Sequence, residues 1–182
     1  SRAMRVQEMD AESGLSAILI GDAYMGEKKY GKALEYYKNA TKYDDTEALA
    51  HLRLGDLYLA ETSPDIDKAQ AQFELAVPSL LTMGERHLAA LTAVKLAKIY
   101  LQKNRHEEFR NILMKAMQAD ESLPEPYCLI AQNLNIDVAE GRQQAVEMCK
   151  KCIVYDESSK LSAWCRATFG KARKPNRRRR RR

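Results

Sequence analysis

Breakers of regular structure are scarce in this chain, whose 182 residues include only 8 glycines and 5 prolines. A fold of many short strands needs frequent turns, so the scarcity favours helices. Long apolar runs are also missing. No stretch of about 18 apolar residues occurs, which excludes a transmembrane helix. The opening residues, Ser1 to Arg5, lack the apolar stretch of a secretory signal, so an intracellular location, cytoplasmic or nuclear, is expected rather than secretion.

Histidine is rare. His51, His87 and His106 are the only three, and none stands in a two-histidine metal motif. A nucleophile motif, a phosphate-cradling glycine loop and a dinucleotide fingerprint are all missing. No catalytic residue, metal site, cofactor or small-molecule substrate is therefore expected, and the chain does not read as an enzyme. The four cysteines, Cys128, Cys149, Cys152 and Cys165, all fall in the last third. Such clustering does not suggest a disulfide framework, and a reducing compartment is expected. Cys149 and Cys152 lie inside a predicted helix, where a redox pair would open one, so they read as small packing residues. A zinc site would need Cys128 and Cys165 as further ligands, without paired spacing.

Acid is absent from the end of the chain. Lys171, Arg173, Lys174, Arg177, Arg178, Arg179, Arg180, Arg181 and Arg182 carry nine positive charges there. The formal net charge is +5, so residues 1–170 carry −4. Any contact with nucleic-acid phosphates or an acidic surface thus rests on this tail. No aromatic residues interleave with its arginines, so base stacking is not indicated. Like charges and little apolar surface predict a disordered tail.

What the chain does have is a repeat. Leu19-Ile20-Gly21-Asp22-Ala23-Tyr24 recurs 34 residues later as Arg53-Leu54-Gly55-Asp56-Leu57-Tyr58. Lys95-Leu96-Ala97-Lys98-Ile99-Tyr100 and Leu129-Ile130-Ala131-Gln132-Asn133-Leu134 continue the series. A second pattern follows each copy: Ala33, Tyr37, Ala40; then Ala69, Phe73, Ala76; then Phe109, Leu113, Ala116; then Ala145, Cys149, Cys152. Spacings of three and four place each set on one helix face. The small residues let two helices approach, and the large ones fill the space beside them. Thr46 and Ser122 read as helix N-terminal signals. The interval from Gly55 to Ala97 is 42 residues rather than 34, with the excess around Ser63-Pro64 and from Pro78 to His87. Longer helices are expected on either side of Gly84.

The four copies in register resemble the tetratricopeptide repeat, over roughly residues 14–160. The resemblance implies an all-α fold: a right-handed α-solenoid of about four helical hairpins plus a C-terminal capping helix. It divides the chain into a lead segment at 1–13, repeats at about 14–47, 48–82, 83–123 and 124–157, a capping helix or truncated fifth repeat at 158–170, and the basic tail at 171–182. On the capping segment Leu161, Trp164, Cys165, Thr168 and Phe169 share a face. The lengthened middle looks like the kinesin-light-chain type of repeat.

In this family the first helices line an inner groove. The register carries that role to Leu15, Ile18, Asp22 and Met25, then Leu49, Leu52, Asp56 and Leu59, then Leu91, Val94, Lys98 and Leu101. The fourth repeat adds Glu125, Cys128, Gln132 and Asn135. Chaperone-binding relatives grip a terminal carboxylate with Lys and Asn where this chain has Ile18 and Asp22, so that mode is not expected. A groove apolar over three repeats fits an amphipathic helix or extended peptide of a protein partner. The expected function is a non-catalytic scaffold or adaptor acting as a subunit of a larger complex. The alternative is a nucleic-acid- or ribonucleoprotein-associated subunit using the tail on phosphates.

Overall fold

The computed structural model describes residues 13–156 and 160–170. Nine helices and no strand occur among them. They are α1 (Gly14–Gly26), α2 (Tyr30–Ala40), α3 (Glu47–Ala60), α4 (Ile66–Thr82), α5 (Arg86–Gln102), α6 (His106–Ala119), α7 (Pro124–Gln132), α8 (Ala139–Tyr155) and α9 (Lys160–Phe169). Consecutive pairs α1–α2, α3–α4, α5–α6 and α7–α8 are the four hairpins the repeat implies, and α9 is the additional helix. The helices form two compact units, one running to Ala119 and one starting at Asp120.

Local chemistry sets the ends of the helices. The Ser13 side chain caps α1 by accepting from the Ser16 amide at 3.1 Å. Thr46 stands at the start of α3 as expected, but its hydroxyl makes no capping bond. It is buried and donates to the Ala40 carbonyl at 3.1 Å, tying the end of α2 to the start of α3. Ser122 likewise does not cap: it donates to Asp120, and α7 begins at Pro124. Three helix ends share one turn. Lys28, Gly84 and Asn104 take positive φ values of 58°, 82° and 59°. The amide that follows each one returns to a carbonyl one turn back, at Tyr24, Leu80 and Tyr100.

The first unit packs by the small–large rule read from the repeat. Gly21 lies against Tyr37, and a Cβ there would stand 2.5 Å from the Tyr37 ring. Gly55 lies against Phe73, with a corresponding 2.4 Å. Ile20, Tyr24, Ala33, Tyr37, Leu54 and Leu57 close one cluster across α1, α2 and α3. The expected lengthening of the middle is real: α4 and α5 each run for 17 residues, against 13, 11 and 14 in α1, α2 and α3.

The second unit corrects the reading of the cysteines. They do pack, at 0–2% exposure, but they are also paired: Cys128 with Cys152 and Cys149 with Cys165. The i, i+3 spacing puts Cys149 and Cys152 side by side on α8. They reach to different neighbours, Cys149 to Cys165 of α9 and Cys152 to Cys128 of α7. Trp164 and Phe169 meet edge to face on α9, with centroids 5.8 Å apart.

Candidate functional site

The groove residues assigned in the first three repeats lie on α1, α3 and α5 of the first unit. Glu125, Cys128, Gln132 and Asn135 fall in the second unit, where Cys128 is buried in a disulfide, which corrects its assignment to the groove. Those of the first unit divide by burial. Ile18, Leu52 and Val94 are only 1–2% exposed and belong to the core. No partner can reach them, which corrects their assignment as anchors; Ile18, for example, lies in a cluster with Ala40 of α2 and Ala50 of α3. Met25, Leu49, Leu59, Leu91 and Leu101 are half-buried, while Leu15 and Lys98 are exposed. This accessible set is the part of the assignment that can touch another molecule.

Asp22 and Asp56 are also accessible, and each is already engaged. Arg53 Nε donates to Asp22 at 2.9 and 3.2 Å. Lys95 Nζ donates to both Asp56 oxygens at 2.6 and 2.8 Å. Each acid follows its repeat's small residue by one position, and each cation precedes the next repeat's small residue by two. The ion pair therefore links a first helix to the next first helix at the same place in two successive repeats. Arg53 and Lys95 were missed in the sequence, although sliding the chain by one repeat and comparing charges would have paired them. Lys98 takes the acid's place in the third repeat and Leu129 the cation's place in the fourth, so the pattern ends there.

The two copies differ at the adjoining aromatic. The Tyr37 hydroxyl donates to Asp22 at 2.6 Å. Burial, aided by the Asp22 carboxylate, pushes that hydroxyl far above the usual phenol range. Phe73 has no hydroxyl to offer Asp56, and Lys95 instead lies 5.9 Å from its ring centroid. Tyr100 donates to Glu74 at 2.7 Å, and burial followed by that bond pushes its pKa up to about 12. Both hydroxyls are harder to ionise folded than unfolded. Their stabilising contribution is complete below pH about 10; for Tyr100 it is lost as pH rises from there through about 12, and for Tyr37 the loss extends to higher pH. In an alkaline titration followed by phenolate absorbance, at least two of the nine tyrosines should ionise late. Tyr37→Phe should remove one of the late group. A single transition near pH 10 for all nine would contradict this geometry.

Among the described residues no group of three or more His, Cys, Asp or Glu side chains could hold a metal ion. None of the described helices is long and apolar enough to cross a membrane. His51 bonds to Gln72 at 2.8 Å and lies 3.7 Å from Glu47. Lys171, Arg173, Lys174 and Arg177 to Arg182, to which phosphate or acidic-surface contact was assigned, lie outside the described residues.

Residues 16–47 and 92–123 match the family model for the tetratricopeptide repeat. Among solved structures, a crystal structure of MamA is similar over 85% of each chain, at 19% identity and a TM-score of 0.63. A second MamA structure covers 95% of this chain and 85% of its own, at 18% identity and a TM-score of 0.61. The assembly chaperone of RpL4, Acl4, is similar over 86% of this chain and 68% of its own, at 15% identity and a TM-score of 0.64. At these identities the likeness is one of fold. No curated protein matches the sequence.

Proposed function

The chain carries tetratricopeptide repeats, and on that premise we propose that it is a non-catalytic scaffold that holds a helical or extended segment of a protein partner along its first helices. The observation that carries this reading is the row of half-buried apolar side chains on α1, α3 and α5: Met25, Leu49, Leu59, Leu91 and Leu101. Their apolar surface is only partly covered by the chain itself. Burying what remains would supply about 25 cal/mol for each Å² removed from water. Asp22 and Asp56 border the row with their charges offset by Arg53 and Lys95. An apolar segment thus meets no unpaired carboxylate there, which is the condition a docking surface has to satisfy.

The burial pattern also chooses the test. Substituting Leu52 and Val94 by Asp would place charge in the core and unfold the unit, so it would say nothing about binding. Leu59 and Leu101 are half-buried instead. Leu59→Asp with Leu101→Asp should lower recovery of co-purifying partners by tenfold or more, with the helical circular-dichroism signal kept. Undiminished recovery by a folded double variant would remove the proposal.

A further inference from the structure

The stretch that lengthens the interval between the second and third repeats borders an open site. A cavity of about 660 Å³ opens between α4 and α6, with α5 beneath it. Its apolar walls are Val77, Pro78 and Leu81 of α4, Leu96 of α5 and Ile112 of α6. Pro78, Leu81, Gly84 and Arg86 all line it, and all fall in the stretch that lengthens the interval. The size falls within the range of roughly 300–1,000 Å³ seen for ligand sites.

Its charges are unequal. Glu74 is already used, accepting from Tyr100 Oη and Gln70 Nε2 at 2.7 Å each. Arg86 donates from Nη2 to the Gln118 carbonyl at 2.9 Å and from Nε to the Ala119 carbonyl at 3.2 Å, at the end of α6. Neutral carbonyls hold that guanidinium in place without cancelling its charge. Lys115, exposed on the rim, has no hydrogen-bond or ion-pair partner among the described residues. Beside the cavity, α4 leaves one carbonyl without its usual helical donor. Pro78 has no N–H to return to the Glu74 carbonyl. The two nearby hydroxyls, Ser79 and Thr82, go instead to the carbonyls of Leu75 and Pro78 at 3.1 and 3.0 Å.

We propose that this pocket is a second docking site, separate from the row on the first helices, and that it takes a segment of a protein partner in which an apolar side chain is followed by a carboxylate. The apolar group seats against Pro78, Leu81 and the edge of Ile112, over the buried Val77 and Leu96. The carboxylate answers Lys115 and Arg86, and a peptide N–H answers the Glu74 carbonyl. That last feature favours a peptide over a fatty acid, which has an apolar chain and a carboxylate but no such donor.

The test uses the full chain and a displayed library of 12-residue peptides with free carboxyl ends and the last four positions randomised. The wild type should enrich apolar residues followed by an acidic or terminal carboxylate. Fluorescence polarisation with the most enriched peptide should show binding at least tenfold weaker for its C-terminal amide where the terminus is selected, or for its Asn or Gln version where a side chain is. Lys115→Glu should weaken it at least tenfold, and Leu81→Asp should do the same; both positions are exposed, so both variants should keep their helicity. Leu59→Asp with Leu101→Asp should leave this affinity unchanged, which separates the pocket from the row on the first helices. No enrichment, equal binding of acid and neutral peptides, or indifference to Lys115→Glu would overturn the proposal. Laurate displacing the peptide at lower concentration than the unlabelled peptide would overturn its assignment to a protein segment.

Discussion

Reducing the protein with a small thiol is expected to destabilise its second unit by about 3 kcal/mol for each disulfide lost. The two links close stretches with sequence separations of 24 and 16 residues, long enough for cross-linking to restrict the unfolded chain appreciably. The unit has little else to rely on. Among the described residues, its buried apolar side chains beyond the cysteines are few: Pro126, Tyr127, Leu129, Ala131 and Ala145. Domains this small commonly need covalent support. Trp164 is the chain's single tryptophan, and it sits on α9 beside Phe169 and next to Cys165. Its fluorescence therefore reports denaturant unfolding of this unit. The Trp164 transition should move to much lower denaturant on reduction, and Cys149→Ala with Cys165→Ala should reproduce part of the shift. The tyrosine signal of the first unit, which contains no cysteine, should stay in place. A transition indifferent to thiol, or four alkylatable thiols in the protein as purified, would refute the pairing. The links also bear on compartment: a unit held by two cystines keeps them in an oxidising environment and loses them to glutathione in a reducing one.

The helices were legible because their signal is local and repeated. Gly21, Gly55, Ala97 and Ala131 mark one position in four hairpins, and each copy supports the others. The site was less legible because it depends on which side of a helix its neighbour covers. Ile18 and Met25, or Leu52 and Leu59, are equally apolar in sequence. Only the packing of neighbouring helices decides that Ile18 and Leu52 go inside and that Met25 and Leu59 stay half-exposed. The cysteine pairing was hidden for a similar reason. The eye joins Cys149 to Cys152 because they are close in sequence, whereas an i, i+3 pair on one helix is aimed outward at two neighbours. The ion pairs Asp22–Arg53 and Asp56–Lys95 were readable in principle, since the repeat that relates Gly21 to Gly55 also relates the charges.

A large effect is expected from a single added methyl group at Gly55. In Gly55→Ala the new Cβ would stand 2.4 Å from Cε1 of a Phe73 ring that is fully buried, so the hairpin must open or the ring must move. Overpacking of this kind costs about 1–3 kcal/mol. The better helix propensity of alanine returns up to about 1 kcal/mol of that. Phe73→Leu alone should also destabilise, by on the order of 1–2 kcal/mol, because it empties space beside Gly55. Combining the two should cost clearly less than their sum. The reason is written in the chain itself: Gly21 and Gly55 face the aromatic Tyr37 and Phe73, while the register sets Ala97 opposite Leu113 and Ala131 opposite Cys149. As the small residue gains a methyl group, the large one gives up its ring. Gly55→Ala with Phe73→Leu rebuilds the third repeat's pair inside the second. A double-mutant cycle by chemical denaturation should therefore return a favourable coupling of at least about 1 kcal/mol. Simple additivity would mean that the two positions do not share one volume, and that the small–large register is a regularity of sequence without a packing cause.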